Sequence, residues 1–176
     1  MVVLSRLGCL LLVCLTAVVA NAQSSPQCPE SGAVVIAWHS IAWQARTYAL
    51  IQLPRGINQS EALSIATRCR FAGKSGFLAE FGNADNSEWS DVKSRFGAKL
   101  GGQRVENIWV GAGQEYDGFV RWYRSRTSVS NISSWRAWAP NEPQYKTAIT
   151  LHAGYPGLFN SCHRTDRYTR LLVEFR

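Results

Sequence analysis

Charge is sparse in this 176-residue chain, at 18%, and low-complexity tracts are absent. Those two absences exclude collagen, coiled-coil and disordered classes, because a 46% hydrophobic content can bury a core. Catalytic signatures are missing as well. There is no Gly-x-Ser-x-Gly elbow, no His-Glu-x-x-His, no Cys-x-x-Cys and no glycine loop built to cradle phosphate. The only histidines, His39, His152 and His163, lie far apart among few acids. The chain is therefore not expected to be an enzyme, and no motif points to nucleic acid. What it has in quantity is aromatic: seven Trp, six Tyr and seven Phe, which suits strands and loops better than a helix bundle.

The one long apolar run lies at the start. Arg6 precedes residues 7–20, and Ala20-Asn21-Ala22 then supplies small residues for cleavage. The run is short for the ~20 residues that span a bilayer. Residues 1–22 are expected to be a signal peptide, leaving a secreted protein that begins at Gln23 and has no membrane span. Loss of Arg6 takes the formal charge from +7 to +6. Arginines group at Arg121, Arg124, Arg126 and Arg136, and again at Arg164, Arg167 and Arg170, which read as solvated strand edges or as attraction for anionic glycans.

Cys9 and Cys14 leave with the leader, so Cys28, Cys69 and Cys162 remain. In an oxidising compartment they allow one bridge, in any of three pairings, with one thiol over. Asn58-Gln59-Ser60 and Asn131-Ile132-Ser133 are N-glycosylation acceptor triplets in polar stretches.

Residues 23–46 form an N-terminal segment holding a first strand, and residues 47–176 the main domain. Apolar stretches at 33–38 and 47–53 read as strands joined by a turn near 39–46. A helix follows, capped by Asn58 or Ser60, with Ala62, Leu63, Ile65, Ala66 and Cys69 at helical spacing; Gly73 and Gly76 are expected to end it. A second helix begins at Asn86 or Ser87, carries Trp89, Val92 and Phe96, and stops at Gly97. Short aromatic strands come next, at 108–110, 119–123, 135–138, 147–151 and 170–175. The order is α+β in one domain, with a loop-rich region between Gly111 and Cys162.

Several local motifs together resemble the C-type lectin-like domain over residues 48–175. Glu61-Ala62, Ala66, Cys69, Gly76 and Leu78-Ala79 are similar to its first helix and exit. Ile108-Trp109-Val110-Gly111 resembles the core strand Trp-Ile-Gly-Leu, and Phe119 with Trp122 the aromatic strand after it. Trp138 with Glu142-Pro143-Gln144 resembles Trp-x-x-Gly-Glu-Pro-Asn, and residues 171–175 resemble the closing strand, usually Phe-Ile-Cys-Glu. The resemblance implies two helices flanking small antiparallel sheets, with Trp109 buried between the sheet and the upper loops. It also implies binding of glycans or glycoproteins. The alternative within the same fold is a calcium-independent component of an extracellular matrix or coat that binds another protein.

The departures from that pattern matter. The family's first-helix cysteine, matched by Cys69, pairs with a position that is Val173 here; the upper-loop cysteine, matched by Cys162, faces Lys146-Thr147-Ala148. Each bridge has lost one end, and Cys28 with Cys69 is the substitute the resemblance suggests. In sugar-binding members the loop acids and amides hold calcium. Here Glu142, Gln144 and Asn160 are the candidate carbohydrate and metal ligands, Ser161 replaces an acid, and Tyr145 and Lys146 stand where acids are frequent. Calcium takes about 6 to 8 oxygens, so one carboxylate and two amides imply weak Ca2+ binding or none. Trp135 or Trp138 would offer a face to a sugar ring, with Trp138 also suited to bracing the core.

Overall fold

The computed structural model describes residues 24–81, 87–100, 106–115, 119–127, 138–142, 144 and 147–176. The expectations for the leader at 1–22 and for Asn86, Asn131, Trp135, Arg136, Pro143, Tyr145 and Lys146 lie outside the described residues.

Two long strands open the fold. β1 (Val34–Ile41) and β2 (Arg46–Ile57) pair as an antiparallel hairpin through a 3-10 turn at Ala42–Gln44, so β1 runs further into the expected turn than its apolar stretch alone suggests. Ala45 closes that turn in the left-handed region, at φ 52. The strand β10 (Tyr168–Phe175) lies against β2, pairing Leu172 with Leu50 and Val173 with Ala49. β5 (Ile108–Trp109) runs parallel to β10, and β8 (Ala148–Leu151) and β9 (Phe159–Cys162) follow antiparallel. Among the described residues the sheet order is β1-β2-β10-β5-β8-β9. β4 (Lys74–Leu78) also pairs with β10, and β3 (Arg70–Phe71) with β4. β6 (Ala112–Gln114) and β7 (Val120–Trp122) form a separate hairpin.

The sheet is buried on both faces, which is why β2 reads as a nearly unbroken apolar run. Side chains alternate along it. Tyr48 and Leu50 enter one core with Leu172, Val110, Phe159 and Trp89, while Ala49, Ile51 and Leu53 enter a second core with Leu171, Val173, Trp109 and Ala62. The first core is closed by α2 (Ser87–Phe96) and the second by α1 (Gln59–Arg68).

Asn58, not Ser60, caps α1. Its Oδ1 accepts the Glu61 N–H at 3.0 Å, and Glu61 Oε2 accepts the Asn58 N–H at 2.9 Å. This reciprocal pair satisfies two backbone donors and contributes about 1 kcal/mol. The expected stop at Gly73 and Gly76 is corrected: α1 ends where Cys69 turns extended. Gly73, at φ +78, makes the β3–β4 turn. Gly76 lies inside β4, where a Cβ would come within 2.5 Å of Val173 Cγ1 and 2.6 Å of the Ala66 carbonyl oxygen. The glycine is needed because β4 is wedged between α1 and β10. Gly97 does end α2, at φ +49, and leads into a 3-10 turn over Gly97–Leu100.

Trp109 is fully buried but on the α1 side, against Tyr168 at 5.1 Å between centroids, with its indole N–H donating to the Ile57 carbonyl at 2.8 Å. This corrects the expected position facing the upper loops. Strand alternation is the reason: Ile108 and Val110 take the other face.

Candidate functional site

The loop carrying Glu142 is docked on β9. Trp138 bridges Phe159, the Ala139 N–H donates to the Phe159 carbonyl at 2.9 Å, and the Glu142 N–H donates to the Ala139 carbonyl at 3.0 Å. Asn141 supplies the reversal, at φ 66 in the left-handed region that asparagine tolerates.

Glu142 is thereby aimed at the strand. Its Oε2 accepts the Ser161 N–H at 3.0 Å, the Gln144 N–H at 3.1 Å and the Ser161 hydroxyl in a short bond. The Ser161 Oγ in turn accepts the Gln144 N–H at 2.9 Å. Glu142, Gln144 and Ser161 thus form one closed network, with Ser161 buried and the Gln144 side chain exposed. Asn160 is adjacent on β9, opposite Thr150, and partly exposed. Strand alternation turns its side chain to the opposite face from its buried neighbours Phe159 and Ser161. Trp138 is half-buried with its ring edge-on to Phe159 at 6.2 Å, the core-bracing arrangement.

This donor set suits calcium poorly. One carboxylate and two amides fall short of about 6 to 8 oxygens, and the Glu142 oxygen already accepts three hydrogen bonds. Among the described residues no three His, Cys, Asp or Glu side chains gather as a metal cluster.

Cys28 and Cys69 are joined in a disulfide, tying the N-terminal segment to the end of α1. Val173, at the position of the lost partner, packs in the same core as Cys69. Cys162 is buried in β9, outside that bridge.

Half of the six described clustered arginines are tied to acids. Arg121 and Arg126 both pair with Glu115, at 2.9 and 2.6 Å, and Arg167 pairs with Glu61 at 3.0 Å. Arg170 instead donates to Gln52 Oε1 at 2.7 Å. One charged arrangement had no signal in the sequence. Glu80, Glu88 and Glu174 are all buried, held by Arg46 and Arg176 and by the Tyr48 hydroxyl, which donates to Glu88. Burial pushes the Glu174 carboxyl and the Tyr48 hydroxyl above their ordinary values. Only the alternation that turns Glu174 to the same face as Tyr48's side chain would have hinted at it. Among the described residues no helix is long and apolar enough to cross a membrane.

Two helices on opposite faces of a sheet, a closing strand laid beside the first hairpin, and a loop docked on the last hairpin define the C-type lectin-like fold. Solved structures agree. Human lithostathine superposes with a TM-score of 0.54 at 17% identity, covering 85% of this chain and 91% of its own. The C-type lectin CEL-I from Cucumaria echinata superposes at 0.53 and 12% identity, covering 73% of this chain and 90% of its own. No family model and no curated protein matches the sequence.

Proposed function

We propose that the chain is a secreted C-type lectin-like protein that binds carbohydrate or glycoconjugate through the loop around Glu142 and Gln144, with calcium contributing weakly or not at all. The observation that carries this reading is the Glu142–Ser161–Gln144 network. Where a calcium ion would draw loop and strand together, a carboxylate accepts a hydroxyl and two backbone N–H groups directly, and hydrogen bonds to a charged acceptor are the strong kind. The loop keeps its shape without an ion, and the exposed Gln144 amide remains to meet sugar hydroxyls; Asn160, turned to the opposite face of β9 from Ser161, does not join it. The likeness to CEL-I, a C-type lectin, agrees with binding of this kind.

A second reading has its own support. Trp43 stands at the tip of the β1–β2 hairpin with 66% of its surface exposed, far more than a monomer's core aromatic shows. A protein-binding or matrix component of the same fold would use such an anchor.

A glycan array with calcium and with EDTA separates the two, run on the parent and on Glu142→Gln. Retention that persists in EDTA and falls in Glu142→Gln supports the loop site. Retention that vanishes in EDTA overturns the minor role given to calcium. No retention in either arm removes the carbohydrate reading and leaves the protein-binding one.

A further inference from the structure

We propose a second ligand site, a groove along α1 that takes a saccharide carrying an acidic group on successive units. It rests on the carbohydrate reading above but lies away from the Glu142 loop. Two hollows, of about 250 and 390 Å³, adjoin there and share Leu63 and Tyr123 as walls. Phe77 and Arg124 line the first only; Arg164 and Ser60 line the second only. Together they fall in the range of small-molecule sites.

The walls are held in place. The Tyr123 hydroxyl donates to Gln59 Oε1 at 3.0 Å, and buried Gln59 donates onward to the Ala112 carbonyl at 3.2 Å. Arg124 lays its guanidinium on the Phe77 ring at 3.7 Å. Arg164 gives one N–H to the Thr147 carbonyl at 3.2 Å and another to the Gln114 carbonyl at 2.8 Å.

Charge identifies the occupant. Arg46, Arg55, Arg68, Arg121, Arg126, Arg167 and Arg176 each pair with a carboxylate. Four others, Arg70, Arg124, Arg164 and Arg170, have no carboxylate partner among the described residues, and of these only Arg124, over an aromatic face, and Arg164, on carbonyls, line the groove. Glu80 also reaches the first hollow, but it is buried and its oxygens accept the Arg124 and Ser125 N–H groups and Arg176. Two guanidinium groups without a carboxylate partner among the described residues therefore line the two adjoining hollows, one in each, beside the shared wall of Leu63 and Tyr123. One guanidinium in each adjoining hollow presents charge twice along a shared wall, which suits a uronate or sulfated oligosaccharide whose ring faces rest on Leu63 and Tyr123.

The test is titration calorimetry of the full chain, stripped of N-glycans so that none on Asn58 crosses the groove, in EDTA. The probes are an oligogalacturonate, a sulfated oligosaccharide, their neutral counterparts and a poly-glutamate peptide. At least one acidic oligosaccharide should bind, weakening as salt rises, while the neutral counterparts and the peptide bind far less. Arg124→Gln, an exposed site, should weaken that binding about tenfold and flatten the salt dependence, whereas Glu142→Gln should leave it unchanged. Phe77→Leu, which removes the stack and keeps the charge, should weaken it by a smaller factor; melting curves confirm that each variant is folded. Equal binding by parent and Arg124→Gln overturns the inference, as does poly-glutamate held as tightly as the saccharide, or loss in Glu142→Gln. Failure of every acidic oligosaccharide removes the groove alone, because neutral glycan retention through Glu142 is read separately on the array.

Discussion

Replacing Trp109 with alanine tests the placement of the core strand most directly. The side chain is 0% exposed, lies against Tyr168, and donates to the Ile57 carbonyl across the sheet from the end of β2. Truncating a buried aromatic costs roughly 3 to 5 kcal/mol, from lost transfer energy and the cavity left behind. In a domain of this size each kcal/mol moves the melting temperature by about 2 to 4 °C, so Trp109→Ala should melt about 6 to 20 °C below the parent. Trp109→Phe keeps most of the ring and forfeits the hydrogen bond, and should fall between the two. Trp43→Ala is the matched control, because that indole is 66% exposed and its loss should stay within about 0.5 kcal/mol. Calorimetric melts of the four proteins give the answer. A Trp109→Ala variant within a degree or two of the parent, or no better than Trp43→Ala, would refute the assignment of this residue to the core beneath α1.

Cys28→Ser should lower stability by about 4 kcal/mol, the loop-closure value for a bridge of sequence separation 41, and a reducing agent should lower the parent's melt but not the variant's. Thr150→Val should be neutral or raise stability by about 1 kcal/mol in urea unfolding, since the Thr150 hydroxyl is buried with no hydrogen-bond partner among the described residues. Burial raises the Glu174 carboxyl above its ordinary value of 4.5, so the native state binds its proton more tightly than the unfolded chain. The stability this group contributes is complete below that value and is lost as pH rises through the raised one. The advantage of the parent over Glu174→Gln, followed by urea unfolding, should therefore shrink from acid pH toward neutral; an advantage that grows would contradict the burial argument.

Much of the fold was legible because its signals are local or strongly patterned. The apolar run of β2, the Asn58 and Glu61 spacing at the start of α1, and Gly97 at the end of α2 each follow from short-range rules, and each is where those rules put it. β3, β4, β6 and β9 were not foreseen. They are two to five residues long, and tertiary pairing rather than propensity makes them strands. Gly76 was misread for a related reason: its lack of a side chain serves β4 against Val173, a contact invisible along the chain. At the loop, the sequence offered candidate residues but not their geometry. Glu142 and Ser161 are 19 positions apart, and only the docking of the 138–142 turn onto β9 makes the serine hydroxyl a partner for the carboxylate. The pairing of Cys28 with Cys69 came from resemblance, since three cysteines alone left three choices.

The central position of β10 bears on how the molecule folds. That strand joins β2, β4 and β5, so Leu172 must find Leu50, Glu174 must find Phe77 and Leu171 must find Trp109 before either core is closed. All three searches cross long stretches of chain, and their closure entropy is spent before the contacts reward it. Neither the β1–β2 hairpin nor α1 can shelter its apolar face while β10 is missing. Folding should therefore be a single late event on the millisecond-to-second scale typical of topologies rich in distant contacts, and nicking the chain ahead of residue 168 should release the whole sheet and not an edge of it.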